Sequence, residues 1–234
     1  MEPRIVLLHS PLLGPSAWRA VAVELARLGW TTETPAWPRL SAIGGGFYAA
    51  LADSLAATLA ASAQPAILVA HSGAGALIPA LAARVAGPVA GAIFADAILP
   101  HPGRSWFDTA PPKLARQLRA GAQDGLLPPW DAWWPPGALA RLVPDAATLA
   151  AVTAELEGLP LGYFDEVAPA ASLTGPAAYL QFSVAYEEES RLADGYGWPA
   201  ATLPLHHLAM LTHPQAVAGA LDSLAADLAE PANG

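Results

Sequence analysis

The stretch "ILVAHSGAGAL", residues 67–77, sets a serine between an apolar run and a run of small residues. Ile67 to Ala70 read as a buried strand bounded upstream by Pro65, and "GAGALIPALAARV" reads as a helix. A serine at such a junction has the geometry of a nucleophile elbow. The backbone turns so sharply there that only small neighbours fit, and the hydroxyl is left exposed above the sheet. The usual pattern is G-x-S-x-G; this chain has Ala70-His71-Ser72-Gly73-Ala74, which keeps the neighbours small. The alternative is a plain serine in a small-residue turn.

A serine hydroxyl is a poor nucleophile near neutral pH until a base takes its proton. Histidine suits that task, and a carboxylate must fix its tautomer. The candidate bases are His9, His71, His101, His206, His207 and His213. His71 adjoins Ser72, and neighbours at an elbow point different ways, so it reads as structural. "LPLHHLAMLTHPQAVAGAL" puts His206 and His207 directly after the last expected strand and before the last helix. Loops in that position rise above the carboxyl edge of a parallel sheet, where ligands bind.

The elements that must position these residues alternate. Residues 4–9 read as a strand, 16–29 as a helix closed by Gly29, 31–36 as a short strand and 46–63 as a helix. The Ser72 strand and helix follow, then a strand over 89–100. This rhythm implies a parallel sheet with helices on both faces. It stops at 101–176, which hold four of the eight tryptophans and eleven of the 24 prolines. Short helical pieces are expected there around 112–121 and 145–157. The pattern then resumes with a strand over 177–183, a helix near 186–194, a strand over 199–205 and a final helix from Pro214 to Ala229. That helix carries Val217, Leu221, Leu224 and Leu228 on one face. The insert reads as a cap over a pocket lined by Trp106, Trp130, Trp133 and Trp134, with structural decoration as the alternative.

Composition narrows the partners. At 234 residues, with 54% hydrophobic and 13% charged side chains, the chain suits one globular domain. A net charge of −9 argues against nucleic acid or an anionic membrane, both of which need basic patches. The absence of cysteine excludes disulfides and thiolate metal sites. Residues 54–83 carry no charge, but interruptions such as Gln64, Pro65, His71 and Pro79 make them core rather than a membrane span. The apolar run Ile5–Leu8 is too short for a signal peptide, so a cytoplasmic location is the expectation. Homo-oligomerisation is compatible with this composition. "IGGGF" lacks the Lys and Ser/Thr of a phosphate loop and reads as a flexible loop.

With strand–"HSPLLGPSAW"–helix near the start, the Ser72 elbow, the insert and the C-terminal "HHLAMLTHPQAV", the chain resembles the α/β-hydrolase-fold family over essentially its whole length. The nearest branch is the small capped one of plant esterases, hydroxynitrile lyases and haloalkane dehalogenases. In that family the catalytic histidine commonly precedes a helix-starting proline by seven residues. From Pro214 this selects His207, with His206 as the alternative and His213 resembling a helix cap. The family's acid usually follows the strand after the cap, where this chain offers Glu187. A minority carry it at the end of the preceding strand, where "AIFADAILP" offers Asp96. Burying an aspartate there is costly without a partner, and His207 would be one; the alternative is an Asp that caps the following turn.

The resemblance also implies an oxyanion hole. One donor would be the Gly73 N–H. The second comes, in relatives, from the residue after a His-Gly pair in the first loop. Here that loop reads His9-Ser10-Pro11, and Pro11 has no N–H. Leu12 or the Ser10 hydroxyl would have to substitute, or the hole has one donor, at a cost of roughly 10²–10³ in rate. The expectation is thus one α/β domain over 1–234: a mostly parallel sheet flanked by helices, with a cap at about 101–176. It would need no cofactor or metal, and Ser72 would attack a small to medium apolar ester, lactone or similar acyl compound. The alternatives are Ser/His base catalysis of C–C cleavage or cyclisation, and ligand binding without turnover.

Overall fold

Eight strands organise the chain in a computed structural model that describes residues 2–229. They are β1 (Arg4–Leu8), β2 (Thr32–Glu33), β3 (Ala66–Ser72), β4 (Val89–Ala97), β5 (Leu126–Leu127), β6 (Leu159–Pro160), β7 (Ala177–Gln181) and β8 (Ala200–Thr202). Six of them form one sheet in the order β2-β1-β3-β4-β7-β8, with every neighbouring pair parallel. The chain leaves β1 toward one edge and leaves β3 toward the other. The loops after β1 and β3 therefore diverge, which opens a crevice at their carboxyl ends.

Helices cover both faces. Those flanking the sheet are α1 (Arg19–Arg27), α2 (Phe47–Leu59) and α3 (Ile78–Ala82). The insert contributes α4 (Trp106–Thr109), α5 (Pro112–Gly121), α6 (Ala138–Leu142), α7 (Ala146–Thr153) and α8 (Leu161–Asp165). Then come α9 (Glu187–Gly195), α10 (Ala209–Thr212) and α11 (Pro214–Ala229). On one face Val21 and Leu25 of α1 and Val217, Leu221, Leu224 and Leu228 of α11 pack on Ile5, Leu7, Ile67, Val69 and Ile93. On the other, Leu55 and Leu59 of α2 and Ile78 and Leu81 of α3 pack on Val6, Leu8, Leu68 and Phe94. Central strands buried on both faces explain the near-continuous apolar runs in the sequence. No helix among the described residues is long and apolar enough to cross a membrane.

Residues 101–176 lie between β4 and β7. They meet the carboxyl end of the sheet through an aromatic and aliphatic cluster in which Phe107, Leu118, Tyr163 and Phe164 pack against Leu40, Phe47, Tyr48 and Leu77. Three glutamates of the insert also grip backbone N–H groups at helix starts of the sheet portion. Glu155 accepts from Ser16 N at 3.1 Å and its hydroxyl at 2.5 Å, and Glu157 from Leu40 N at 2.7 Å and the Ser41 hydroxyl. Glu166 accepts from Phe47 N at 2.7 Å and Tyr48 N at 2.9 Å. The first N–H groups of a helix have no partner within it, and its dipole favours an anion there. Gly14 belongs to the same contact, since a Cβ there would stand 2.1 Å from Glu155 Oε2.

Candidate active site

Ser72 ends β3 and starts the helical stretch 73–82 with φ 55° and ψ −126°. A non-glycine residue held in such a region costs of order 1–3 kcal/mol and persists only where its surroundings fix it. Here Ile98 N–H donates to Ser72 O at 3.2 Å. The close approach is made possible by Gly75, where a Cβ would lie 2.0 Å from Ile98 O. The glycine that the turn requires thus stands one position beyond the usual motif, and Ala74 is simply buried.

Asp96 sits beside it because of an irregularity in the β3–β4 pairing. His71 pairs with Ala95 and Ser72 with Ala97, so Asp96 is the extra residue of a bulge, at φ 45°. Ile93 and Ala95 face one core and Phe94 the other; beyond the bulge Ala97 faces the same core as Phe94. The bulge resets the alternation and re-aims the aspartate. Its carboxylate is fully buried with every acceptor position supplied. Oδ1 accepts from Phe182 N at 2.8 Å and Ser183 N at 2.9 Å; Oδ2 accepts from the Ser183 hydroxyl at 2.6 Å and His207 Nδ1 at 2.7 Å. Burial alone would raise the carboxyl pKa, but His207 and the Ser183 donors outweigh it, and the net direction is down.

His207 follows β8, and its loop sets the ring against His71, the residue before Ser72, and against Tyr186, whose hydroxyl meets Ser72 Oγ. Because Nδ1–H donates to Asp96, the Nε2 lone pair is the one available to act as a base. Two other rings fix the imidazole. His71 donates from Nε2 to His207 O at 2.9 Å, and its ring centre lies 4.5 Å from that of His207. Tyr186 lies parallel to the imidazole at 4.9 Å and 7°. Its hydroxyl is 3.3 Å from Ser72 Oγ, and no hydrogen bond joins Ser72 Oγ to His207 among the described residues. Burial raises the Tyr186 phenol pKa, so it stays an O–H. Burial depresses His9 to about 4, His71 well below the usual imidazole range and His101 and His206 in the same direction. His206 turns away to Thr212 Oγ1 at 3.0 Å.

Two sequence expectations change. Glu187 heads α9 as an exposed side chain and has no bond to His207, whose Nδ1 belongs to Asp96. Leu12 N–H is directed at Ser10 Oγ, 3.3 Å away, so it is engaged, while the proton of the Ser10 hydroxyl stays free. The four tryptophans expected to line the pocket belong to the aromatic packing of the insert. Trp106 and Trp133 pack on the fully buried Phe164 at ring distances of 5.2 and 5.9 Å, Trp130 packs edge-on to Trp134 at 6.0 Å, and Trp134 is 49% exposed. An open apolar cleft of about 350 Å³ between α6 and α7 shares no residue with the Ser72 constellation. Tyr186 and Ser183 were missed because nothing in "QFSVAYEEE" distinguishes them until the loop folds back over Asp96.

No protein-family model matches the chain, and a search of the curated proteins finds no match. Solved structures do resemble it. An extracellular alpha/beta-hydrolase from a Paenibacillus species, described as sharing structural and functional homology with tobacco salicylic acid binding protein 2, has a TM-score of 0.76 at 21% identity, with 98% of this chain and 100% of that one covered. A pyrethroid hydrolase from Sphingobium faniae gives 0.71 at 19% identity, covering 97% and 98%. Tomato methylketone synthase I in complex with 2-tridecanone gives 0.72 at 16%, covering 97% and 99%. The chain therefore has the α/β-hydrolase fold.

Proposed function

We propose that the protein is a serine hydrolase of the esterase type, acting on a small to medium apolar ester, lactone or related acyl compound. The observation that carries this reading is a serine held at positive φ beside a histidine whose Nδ1 donates at 2.7 Å to a buried carboxylate. Ser72 Oγ turns from Tyr186 to His207 Nε2 when substrate enters and attacks the acyl carbon as its proton passes to Nε2. Asp96 holds the tautomer and stabilises the imidazolium. The leaving alkoxide takes that proton, and water later releases the acyl group by the reverse sequence. The insert acts as the cap over the acyl chain. The named relatives include hydrolases, which is in keeping with this reading.

A fluorophosphonate probe tests it, because an activated hydroxyl attacks phosphorus as it attacks an acyl carbon. Wild type should label, Ser72→Ala should not, and His207→Ala should label at least a hundredfold more slowly. A folded wild type that never labels supports the second reading, a site that binds ligands or uses Ser72 and His207 for non-hydrolytic chemistry. What favours that second reading is the Ser72–Tyr186 contact together with the donor missing at Pro11.

A further inference from the structure

Three atoms come nearest to the unoccupied face of Gly73. A Cβ built there would lie 3.6 Å from Pro11 Cδ, 3.7 Å from Ser10 Oγ and 3.7 Å from the hydroxyl of Tyr163. Two of these are hydroxyl oxygens, and the third belongs to the residue whose missing N–H leaves the expected hole one donor short. Tyr163 belongs to α8 of the insert, is 4% exposed, and directs its hydroxyl at this space rather than at another protein group. A Cβ stands about 2.5 Å from its own backbone nitrogen, so the Tyr163 hydroxyl is no more than about 6 Å from Gly73 N, the span that two donors can bridge through one shared oxygen.

The position of the phenol is fixed from several sides. Its ring packs on Phe47 at 5.9 Å, Tyr48 at 6.4 Å and Phe164 at 5.1 Å. Gly162 lets α8 come down on Phe47, where a Cβ would meet Cε2 at 3.3 Å. Glu166, one turn on, holds the start of α2. Burial, reinforced by the nearby Tyr48 and Glu166, raises the phenol pKa well above its ordinary value, so it remains a donor throughout the working pH range. A preset donor aimed at developing charge stabilises a transition state without reorganisation.

We propose that Tyr163 is a catalytic residue that completes the oxyanion hole with Gly73 N–H and the Ser10 hydroxyl, in place of the N–H absent at Pro11. The inference rests on the serine hydrolase reading above. As Ser72 Oγ bonds to the acyl carbon, the carbonyl π pair moves onto oxygen, and Tyr163 donates to that oxygen while keeping its proton. Ser72's proton goes to His207. When the tetrahedral adduct collapses, the pair returns to the carbonyl and the leaving alkoxide departs with the proton from His207. The insert then supplies chemistry as well as shape.

The test compares wild type with Tyr163→Phe, which keeps the ring contacts, on p-nitrophenyl butyrate, with circular dichroism and Tm as checks on folding. The expected result is a kcat lowered roughly 10²–10³-fold, with KM within threefold and Tm little changed. Affinity for a boronic acid, whose tetrahedral adduct carries an anionic oxygen, should fall at least tenfold in the same variant. A kcat and boronate affinity within threefold of wild type overturn the proposal and leave the hydrolase reading standing. A raised KM at unchanged kcat also overturns it, since the phenol then contributes only ground-state binding. A wild type that neither hydrolyses the ester nor reacts with fluorophosphonate overturns both.

Discussion

The phenol of Tyr186 lies parallel to the imidazole of His207, and its hydroxyl stands 3.3 Å from Ser72 Oγ. In the free protein Ser72 is thus tied to a neutral phenol rather than to His207. One such hydrogen bond is worth about 1 kcal/mol net, or roughly fivefold in rate. Tyr186→Phe, which keeps the stack, should speed fluorophosphonate labelling of Ser72 by roughly two- to tenfold. If labelling slows tenfold instead, the hydroxyl assists the reaction and does not restrain it.

Asp96→Asn should lower kcat by two or more orders of magnitude, because an amide neither fixes the His207 tautomer nor stabilises imidazolium. The equivalent change costs on the order of 10⁴ in a well-studied serine protease. Glu187→Gln, on an exposed side chain, should stay within a few-fold of wild type. Steady-state kinetics on both variants decide, and the reverse ranking would be fatal to the assignment of Asp96.

Stability should depend on pH through the same carboxylate. The folded-state pKa of Asp96 is lowered, so the unfolded chain binds more protons in the acid range and stability rises with pH there. The contribution is fully present above the unfolded carboxylate value of about 4 and is lost as pH falls below it toward the folded value. Urea unfolding from pH 6 down to pH 3 should show this slope, and Asp96→Asn should flatten it. A variant curve that runs parallel to wild type would show that other acids cause the slope.

The seat of the insert can be weighed against an ordinary surface ion pair. Glu166→Ala removes both acceptors from Phe47 N and Tyr48 N and should cost about 1 kcal/mol, as loss of a helix cap does. Glu188→Ala removes an exposed pairing with Arg191 and should cost at most about 0.5 kcal/mol. Limited proteolysis should cut within 101–176 sooner in the first variant than in the second. Equal costs and equal cleavage would mean that the glutamate does not hold the insert.

Much of the architecture was legible because its elements obey simple periodicities. The final helix runs over Pro214–Ala229 as its Val217–Leu221–Leu224–Leu228 stripe implies, and α5 occupies the expected 112–121. Shorter elements were overdrawn: the strand expected over 31–36 is only Thr32–Glu33, and 199–205 shrinks to Ala200–Thr202. Both are edge strands, where flanking residues lack a partner on one side. The antiparallel pair of β5 and β6 was not foreseen, since two-residue strands leave no alternation to read and α6 and α7 separate them in the chain. In the site, Ser72, Asp96 and His207 occur in sequence contexts that signal chemistry, whereas Tyr163 and Tyr186 gain their meaning from residues remote in the chain, Gly73 for the first and Ser72 for the second.

The bulge at Asp96 also shows how such a site can be lost. Asp96 both supplies the carboxylate beside His207 and stands in its strand with no partner on β3. Deleting it would restore plain alternation, with Ala95 and Ala97 still opposite His71 and Ser72 and still in their own cores. Only the carboxylate and the local bend that aims it would go. The sheet itself has no use for the extra residue. Folded descendants of this protein that lack a carboxylate beside His207 should therefore include ones a residue shorter in this strand as well as ones with another side chain at position 96.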